Sequence, residues 1–251
     1  MLNQSAKLLI SNSAAIAMWF DTQAAAYGLI AAEINHRFAE QLGFRFFIGH
    51  CSHQSDRSAE WQKVGFLLEL LRVGGFQTLI WLDADAVLIE EHADSLFRLL
   101  HEHSEEDLLL SRDKWGSGIN SGVMILRRTP ITRAVLRTLY WVGSQANRTT
   151  DGAYCASFLH KRWYEQSCLQ RLWDANHAGV QAHAALVPYG VLQRASDGRG
   201  NLSGRSRFWQ TPVLHAMGRG DVDRVKTLCN LCVFAVTLCA SVARSGRRLP
   251  V

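Results

Sequence analysis

From Met1 to Ala17 no clear secretory leader is seen. Lys7 is followed only by Leu8-Leu9-Ile10 before Ser11-Asn12-Ser13 interrupts the run, whereas a leader core needs roughly 7–15 apolar residues. Lys7–Ala14 reads instead as a first core strand. Cysteine is present but in the wrong arrangement for zinc knuckles. Cys51, Cys155, Cys168, Cys229, Cys232 and Cys239 contain a single CxxC, Cys229 to Cys232, where such sites take two. That pair lies inside an apolar segment and reads as small buried hydrophobes. Acidic residues stop at Asp223. Beyond it Arg224, Lys226, Arg244, Arg247 and Arg248 are the only charged residues, so this tail accounts for the whole net charge of +5 and residues 1–223 are neutral. No basic patch is interleaved with aromatics, which argues against a nucleic-acid binder. Internal repeats and a recognisable linker are also missing.

What is there is ordinary globular material, 48% hydrophobic with 10% aromatic over 251 residues. The length fits one α/β domain, residues 1–223, followed by a hydrophobic helix and basic tail, residues 224–251. The tail holds an uncharged run of 17 residues, Thr227 to Ala243, bounded by Lys226 and by Arg244, Arg247 and Arg248. This is at the short limit for a membrane span. Asn230 and several Thr, Ser and Cys residues favour a closing helix packed on the domain or lying at a membrane surface, with a true span as the alternative. Asn147-Arg148-Thr149 and Asn201-Leu202-Ser203 match the N-glycosylation pattern, which matters only in a secretory compartment.

Along the chain, apolar runs of strand length alternate with helical periodicity. After Lys7–Ala14 come a helix over Thr22–Leu42 closed by Gly43, a strand over Phe44–Ile48, and a helix over Ser58–Val73. In that helix Trp61, Val64, Leu67, Leu68 and Leu71 recur at helical spacing, and Gly74-Gly75 stops it. A strand then runs to Asp85. A helix over Ala93–His103, apolar runs Leu108–Leu110 and Ile119–Leu126, and a helix from Pro130 follow. This order predicts a mostly parallel sheet with helices on both faces. Ligands of such sheets gather outside the carboxyl ends of the strands. The Gly-, Ser- and Arg-rich stretch Ser196–Ser206 reads as a mobile loop or lid.

The most informative segment is Thr78-Leu79-Ile80-Trp81-Leu82-Asp83-Ala84-Asp85. On a strand, residues i and i+2 share a face, so Asp83 and Asp85 can both face one metal at the sheet edge. Hard oxygen ligands suit Mg²⁺ or Mn²⁺, ions that leave positions open for substrate phosphate oxygens. A second Asp-x-Asp, Asp221-Val222-Asp223, lacks a strand leading into it and reads as a helix N-terminus.

Several other residues sit where chemistry can use them. Lys63 lies on the helix before the aspartate strand and by itself reads as a solvated lysine. Asp113 follows Leu108–Leu110, at a strand's carboxyl end. Asn120-Ser121-Gly122 opens a strand where glycine allows close backbone approach to a ligand and Asn can bond a sugar hydroxyl; a simple turn is the alternative. Glu165-Gln166 stands at a helix start, where a carboxylate either faces the reacting carbon or complements the helix dipole. His215 closes Pro212-Val213-Leu214, so its imidazole is a further metal-ligand candidate or a satisfied core histidine.

In sequence order, Trp61-x-Lys63, Asp83-Ala84-Asp85, Asn120-Ser121-Gly122-Val123, Glu165-Gln166-Ser167 and His215-Ala216-Met217-Gly218 resemble a known family. It is the galactosyl, mannosyl and xylosyl transferase family of the nucleotide-diphospho-sugar transferase superfamily. That family includes fungal Golgi α-mannosyl/galactosyltransferases and plant xyloglucan xylosyltransferases. Asn35-His36-Arg37 with Gly43-Phe44 looks like its early Asn-His segment, and the resemblance spans roughly Leu8 to Arg219.

The resemblance implies a GT-A type, Rossmann-like fold. It implies retaining transfer of a hexose or pentose from a UDP- or GDP-sugar to a glycan hydroxyl, with Mn²⁺ or Mg²⁺. Asp83, Asp85 and His215 would form the metal set, with Asp83 also reaching the nucleotide ribose. Lys63 and Gly218 would lie near the diphosphate; Asn120, Ser121, Gly122 and Gln166 near the donor sugar; Glu165 near the anomeric carbon. Tyr164 precedes Glu165 where plant members commonly have paired acids, and a front-face mechanism needs no nucleophile there. A Golgi membrane location is implied as well, although the family's usual anchor ahead of the catalytic domain is not seen. The chain is then a fragment, or is held by its tail, or is soluble.

Two other readings compete. Asp83-Ala84-Asp85-Ala86-Val87 after an apolar strand matches the nucleophile motif of aspartate-dependent phosphohydrolases, which would also need a later acidic pair. A non-catalytic sugar-nucleotide-binding relative would keep the metal and diphosphate positions without turnover.

Overall fold

A computed structural model describes residues 2–51, 59–116, 118–146, 165–195, 211–216, 223–225 and 228. The chain opens with helix α1 (Gln4–Ser13), and strand β1 (Ala14–Asp21) follows directly. The strand expected over Lys7–Ala14 is therefore a helix. Asn3 caps it, its Oδ1 accepting the Ala6 N–H at 2.8 Å. Leu8 and Leu9, which read as core, are 62% and 72% exposed. The true first strand is apolar on both faces. Ala14, Ile16, Met18 and Phe20 enter one core, and Ala15, Ala17 and Trp19 enter the other. A strand buried on both sides shows no polar–apolar alternation, so periodicity gives no sign of it.

Most of the elements expected after it, up to the helix from Pro130, fall close to their places. Helix α2 (Ala25–Leu42) ends at Gly43, whose φ of +71° and N–H bonds to the Ala39 and Glu40 carbonyls form a left-handed cap. Then come β2 (Arg45–Cys51), α3 (Ala59–Val73), β3 (Thr78–Leu82), β4 (Ala86–Leu88) and α4 (Ala93–Glu102). They are followed by β5 (Leu108–Arg112), β6 (Ile119–Arg127), α5 (Pro130–Ala146), α6 (Glu165–Asp174), α7 (Val180–His183), β7 (Ala184–Val187), β8 (Gln193–Ala195) and β9 (Val213–His215). Of these, β4, α7, β7 and β8 are not among the elements expected from the sequence.

Six strands form one sheet in the order β2-β1-β3-β6-β5-β7. The β1·β2, β1·β3 and β5·β7 pairs are parallel, and β6 alone runs against its neighbours. Helices cover both faces. Tyr27, Ala31 and Phe38 of α2 and Leu96 and Phe97 of α4 pack on one side. Val64, Leu67 and Leu71 of α3, Val135 and Leu139 of α5, and Leu169 and Leu172 of α6 pack on the other. Burying each Val, Leu or Phe among them contributes about 1.5–3 kcal/mol.

The reversal of β6 brings two distant segments together. Leu82, the last residue of β3, pairs with Val123. The start of β6 therefore lies at the carboxyl end of β3, beside Asp83. A second sheet, β4-β9-β8, stands at the same end; β4 pairs antiparallel with β9, and β8 parallel with it.

Residues 223–225 are helical. Asp221, Val222, Gly218, Ser196–Ser206, both N-glycosylation patterns and the CxxC lie outside the described residues, as does all of 227–243 except Leu228. Among the described residues no helix is long and apolar enough to cross a membrane.

Candidate active site

A cleft of about 510 Å³ opens at the carboxyl ends of β1 and β3, within the usual range for small-ligand sites. Asp83 and Asp85 both line it, but not as same-face residues of one strand. β3 ends at Leu82, and the aspartates occupy a tight turn into β4, in which the Ala86 N–H donates to the Asp83 carbonyl at 2.9 Å. The Asp83 N–H is held by the Gly122 carbonyl at 2.8 Å. Behind the turn, the fully buried Asn35 bonds the edge of β4 that faces away from β9. Its Nδ2 donates to the Ala86 carbonyl and its Oδ1 accepts the Leu88 N–H, each at 2.9 Å. Asn35, part of the family-like early segment, thus braces the aspartate turn from the opposite side.

His215 arrives through the small sheet. Ala86 pairs with His215 across β4 and β9, and the Ala216 N–H donates to the Asp85 carbonyl at 2.9 Å. The imidazole Nε2 then lies 3.0 Å from Asp85 Oδ1. One ligand atom each from Asp83, Asp85 and His215 lies within 4.8 Å of the others. Two carboxylates and an imidazole on one side of an open cleft fit a divalent cation such as Mn²⁺ or Mg²⁺.

The electrostatics of this group are coupled. Burial pushes the Asp85 carboxyl up, but the His215 charge, its hydrogen bond and the Arg224 guanidinium together hold it below its ordinary value. Burial likewise lowers His215, yet the Asp85 carboxylate and its hydrogen bond, with Asp83 behind, outweigh that and raise it. Arg224 Nε stands 3.0 Å from Asp85 Oδ2, and its guanidinium lies 5.0 Å from the centre of the Tyr27 ring. Composition groups Arg224 with the basic tail; the fold puts it against the acidic turn.

Lys63 forms the floor and is 5% exposed, not the solvated lysine its helix position allows. Its Nζ lies 2.5 Å from Glu165 Oε1 and 3.1 Å from Asp83 Oδ1. It also lies 3.4 Å from both the Ser121 carbonyl and Oγ. Burial lowers its pKa, but the charges of Asp83 and Glu165 override this and raise it, so the ammonium stays charged. Trp81 adds an Nε1–H donor to Asp83 Oδ1 at 2.9 Å. Nothing in the sequence pattern marks Trp81 apart from its neighbours.

The Asn120-Ser121-Gly122 segment knits the floor to α6. The Ser121 hydroxyl donates to Glu165 Oε1 at 2.6 Å, and the Ser121 N–H donates to Gln166 Oε1 at 3.1 Å. Asn120 Oδ1 accepts the Gly122 N–H at 2.9 Å and Gln193 Nε2–H at 3.0 Å. Gln193 Oε1 also lies 2.9 Å from His215 Nδ1, and nothing in the sequence pattern singles Gln193 out. Of the residues named from sequence, Lys63, Asp83, Asp85, Asn120, Ser121, Gly122, Glu165, Gln166 and His215 meet here, and Gly218 lies outside the described residues. Asp113 does follow the last residue of β5, but it does not line the cleft.

Gly122 is required by space. A Cβ there would lie 2.1 Å from His215 Cε1 and 2.8 Å from Nδ1, and the buried ring is held at both nitrogens. Gly122→Ala is expected to push the imidazole off Asp85 and weaken Mn²⁺ binding by at least about tenfold. Isothermal titration with Mn²⁺ checks this; unchanged affinity would mean the ring moves aside at no cost.

Together these layers, a mostly parallel sheet with one reversed strand and an Asp-x-Asp turn backed by a small second sheet, make a fold of the GT-A type. Two solved structures share it. One is a glycosyltransferase involved in glycosylation of the major capsid of PBCV-1, with a TM-score of 0.63, 10% identity, and 86% of this chain and 98% of that chain covered. The other is the galactosyltransferase LgtC in complex with donor and acceptor sugar analogs, with a TM-score of 0.54, 12% identity, and 87% and 95% covered. No sequence-family model matches the chain, and no curated protein does. At these identities the likeness is one of fold.

Proposed function

We propose that the chain is a metal-dependent, retaining glycosyltransferase. It moves a hexosyl or pentosyl group from a UDP- or GDP-sugar to a glycan hydroxyl, in the manner of the galactosyl, mannosyl and xylosyl transferases. One observation carries this reading. On a GT-A type fold, Asp83, Asp85 and His215 converge at one cleft with Glu165, Gln166 and Asn120 on the adjoining wall.

Asp83, Asp85 and His215 would hold Mn²⁺ or Mg²⁺, which when bound offsets the charge of a leaving diphosphate. Lys63 acts from below. Its donors are directed to Asp83, Glu165 and Ser121, so it steadies the acidic floor and contributes positive field without needing to touch the diphosphate. Gln166 and Asn120 line the wall where the donor sugar would rest. Glu165, tied to Lys63 and Ser121, sits where a carboxylate favours the oxocarbenium character that develops at the anomeric carbon. As the bond between the anomeric carbon and the diphosphate breaks, the acceptor hydroxyl attacks from the same face and gives its proton to the departing diphosphate oxygen. Exclusion of water keeps transfer from becoming hydrolysis.

The test is nucleotide release from a panel of UDP- and GDP-sugars with Mn²⁺, with Asp85→Ala and added chelator as controls. Release from one donor, lost in both controls, is expected. Cleavage of p-nitrophenyl phosphate with no release from any donor would overturn the reading in favour of a phosphohydrolase. Metal-dependent binding of UDP without turnover would point to a binding relative.

A further inference from the structure

Gln193, the first residue of β8, is completely buried and touches two of the site's residues at once. Its side-chain Nε2 lies 3.0 Å from Asn120 Oδ1 and 3.4 Å from the Asn120 carbonyl. Its Oε1 lies 2.9 Å from His215 Nδ1. The orientation of this amide is set by what it faces. A backbone carbonyl only accepts, and Asn120 Oδ1 is itself identified as an acceptor by the Gly122 N–H that donates to it at 2.9 Å. The Gln193 NH₂ therefore faces Asn120, and its carbonyl oxygen faces His215. An acceptor at Nδ1 requires a proton there.

That proton has a rival position. Asp85 Oδ1 lies 3.0 Å from the other ring nitrogen, and a neutral imidazole has a single N–H to give. Directed to Asp85, that hydrogen would sit on Nε2 and remove its lone pair from the cleft. Directed to Gln193, it leaves Nε2 open toward Asp83 and Asp85. We propose that Gln193 is a positioning residue: it holds His215 in the Nδ1–H tautomer and so presents Nε2 to a cation between the two aspartates. This rests on the metal site of the proposed function. The same amide ties the metal side of the cleft to Asn120 on the sugar side, so one buried side chain sets the relative placement of both.

The experiment compares Mn²⁺ binding by the unmodified protein, Gln193→Leu and Gln193→Glu, read from loss of the free-ion signal in electron paramagnetic resonance. Circular dichroism checks the fold of each variant. Gln193→Leu removes the acceptor and should weaken binding by about 10–100-fold. Gln193→Glu keeps an acceptor at Nδ1, although its second oxygen faces the Asn120 acceptors, and should bind clearly more tightly than Gln193→Leu. Equal weakening in both variants, or none in Gln193→Leu, overturns the proposal. Should Gln193→Leu fail to fold, ¹⁵N-histidine resonances of the unmodified, metal-free protein, at a pH where His215 is neutral, decide: a proton on His215 Nδ1 supports the proposal and one on Nε2 overturns it. Absence of Mn²⁺ binding by the unmodified protein overturns the metal site itself, whereas binding indifferent to Gln193 overturns only the role of Gln193.

Discussion

Lys63→Met is expected to destabilise the chain by about 3–5 kcal/mol, the usual result of removing one partner from a buried ion pair. In a chain of this size that corresponds to a fall in Tm of roughly 6–20 °C. The loss centres on Glu165. The Lys63 and Glu165 side chains are 6% and 4% exposed and 2.5 Å apart, so methionine would leave a carboxylate in the core with, among the described residues, the Ser121 hydroxyl as its hydrogen-bond partner. Asp83, at 31% exposed, can turn to solvent, and water screens its share. The rescue should obey the same division. Lys63→Met with Glu165→Gln should recover most of the lost stability, whereas Lys63→Met with Asp83→Asn should recover little. Thermal melts of the three variants test this, and a single variant melting with the unmodified protein would mean that the pair contributes nothing net.

Asp85→Ala is expected to lower nucleotide release by about 10²–10³-fold, the effect of losing a few kcal/mol of charge stabilisation in the transition state. Its pH counterpart comes from the Asp85–His215 pair. The His215 pKa is raised above its ordinary 6.5, so in the metal-free protein its stabilising contribution is complete below that value. It is lost as pH rises through the raised folded value. The Asp85 pKa is lowered below its ordinary 3.8, so its contribution is complete above that value and is lost as pH falls through the lowered one. The metal-free pair is thus most stabilising between these limits. A cation must replace the His215 proton that faces Asp85, so Mn²⁺ affinity should climb as pH rises through the raised His215 value and level off beyond it. Mn²⁺ titrations across that window, with proton release monitored in parallel, measure both. A flat profile without proton release would remove His215 from the ligand set.

Much of the fold was legible in the sequence, and for local reasons. Gly43 in a left-handed cap, the 3.6-residue spacing of Val64, Leu67 and Leu71, and Pro130 at a helix start each encode an element within a few residues. β1 was not legible, because a strand buried on both faces lacks alternation, and the exposed Leu8 and Leu9 mimicked one. The Asp83–Asp85 pair announced itself through an apolar run ending in two acids. These acids lie in a turn and not on a strand face because β3 stops at Leu82.

By itself, then, the sequence determined the α/β alternation, a pair of acids at the end of an apolar run, and an ordered set of polar residues. Tertiary structure alone decided that those residues form one site. The reversed β6 carries Asn120–Gly122 back to Asp83, and the small sheet spans 130 positions to place His215 on Asp85. The buried Lys63 became the partner of two carboxylates, and Gln193 became the link between His215 and Asn120. Helical and turn preferences act over a few residues and are written in local spacing. Strand direction, burial of charge and the proton carried by an imidazole depend on which distant groups the closed core brings into contact.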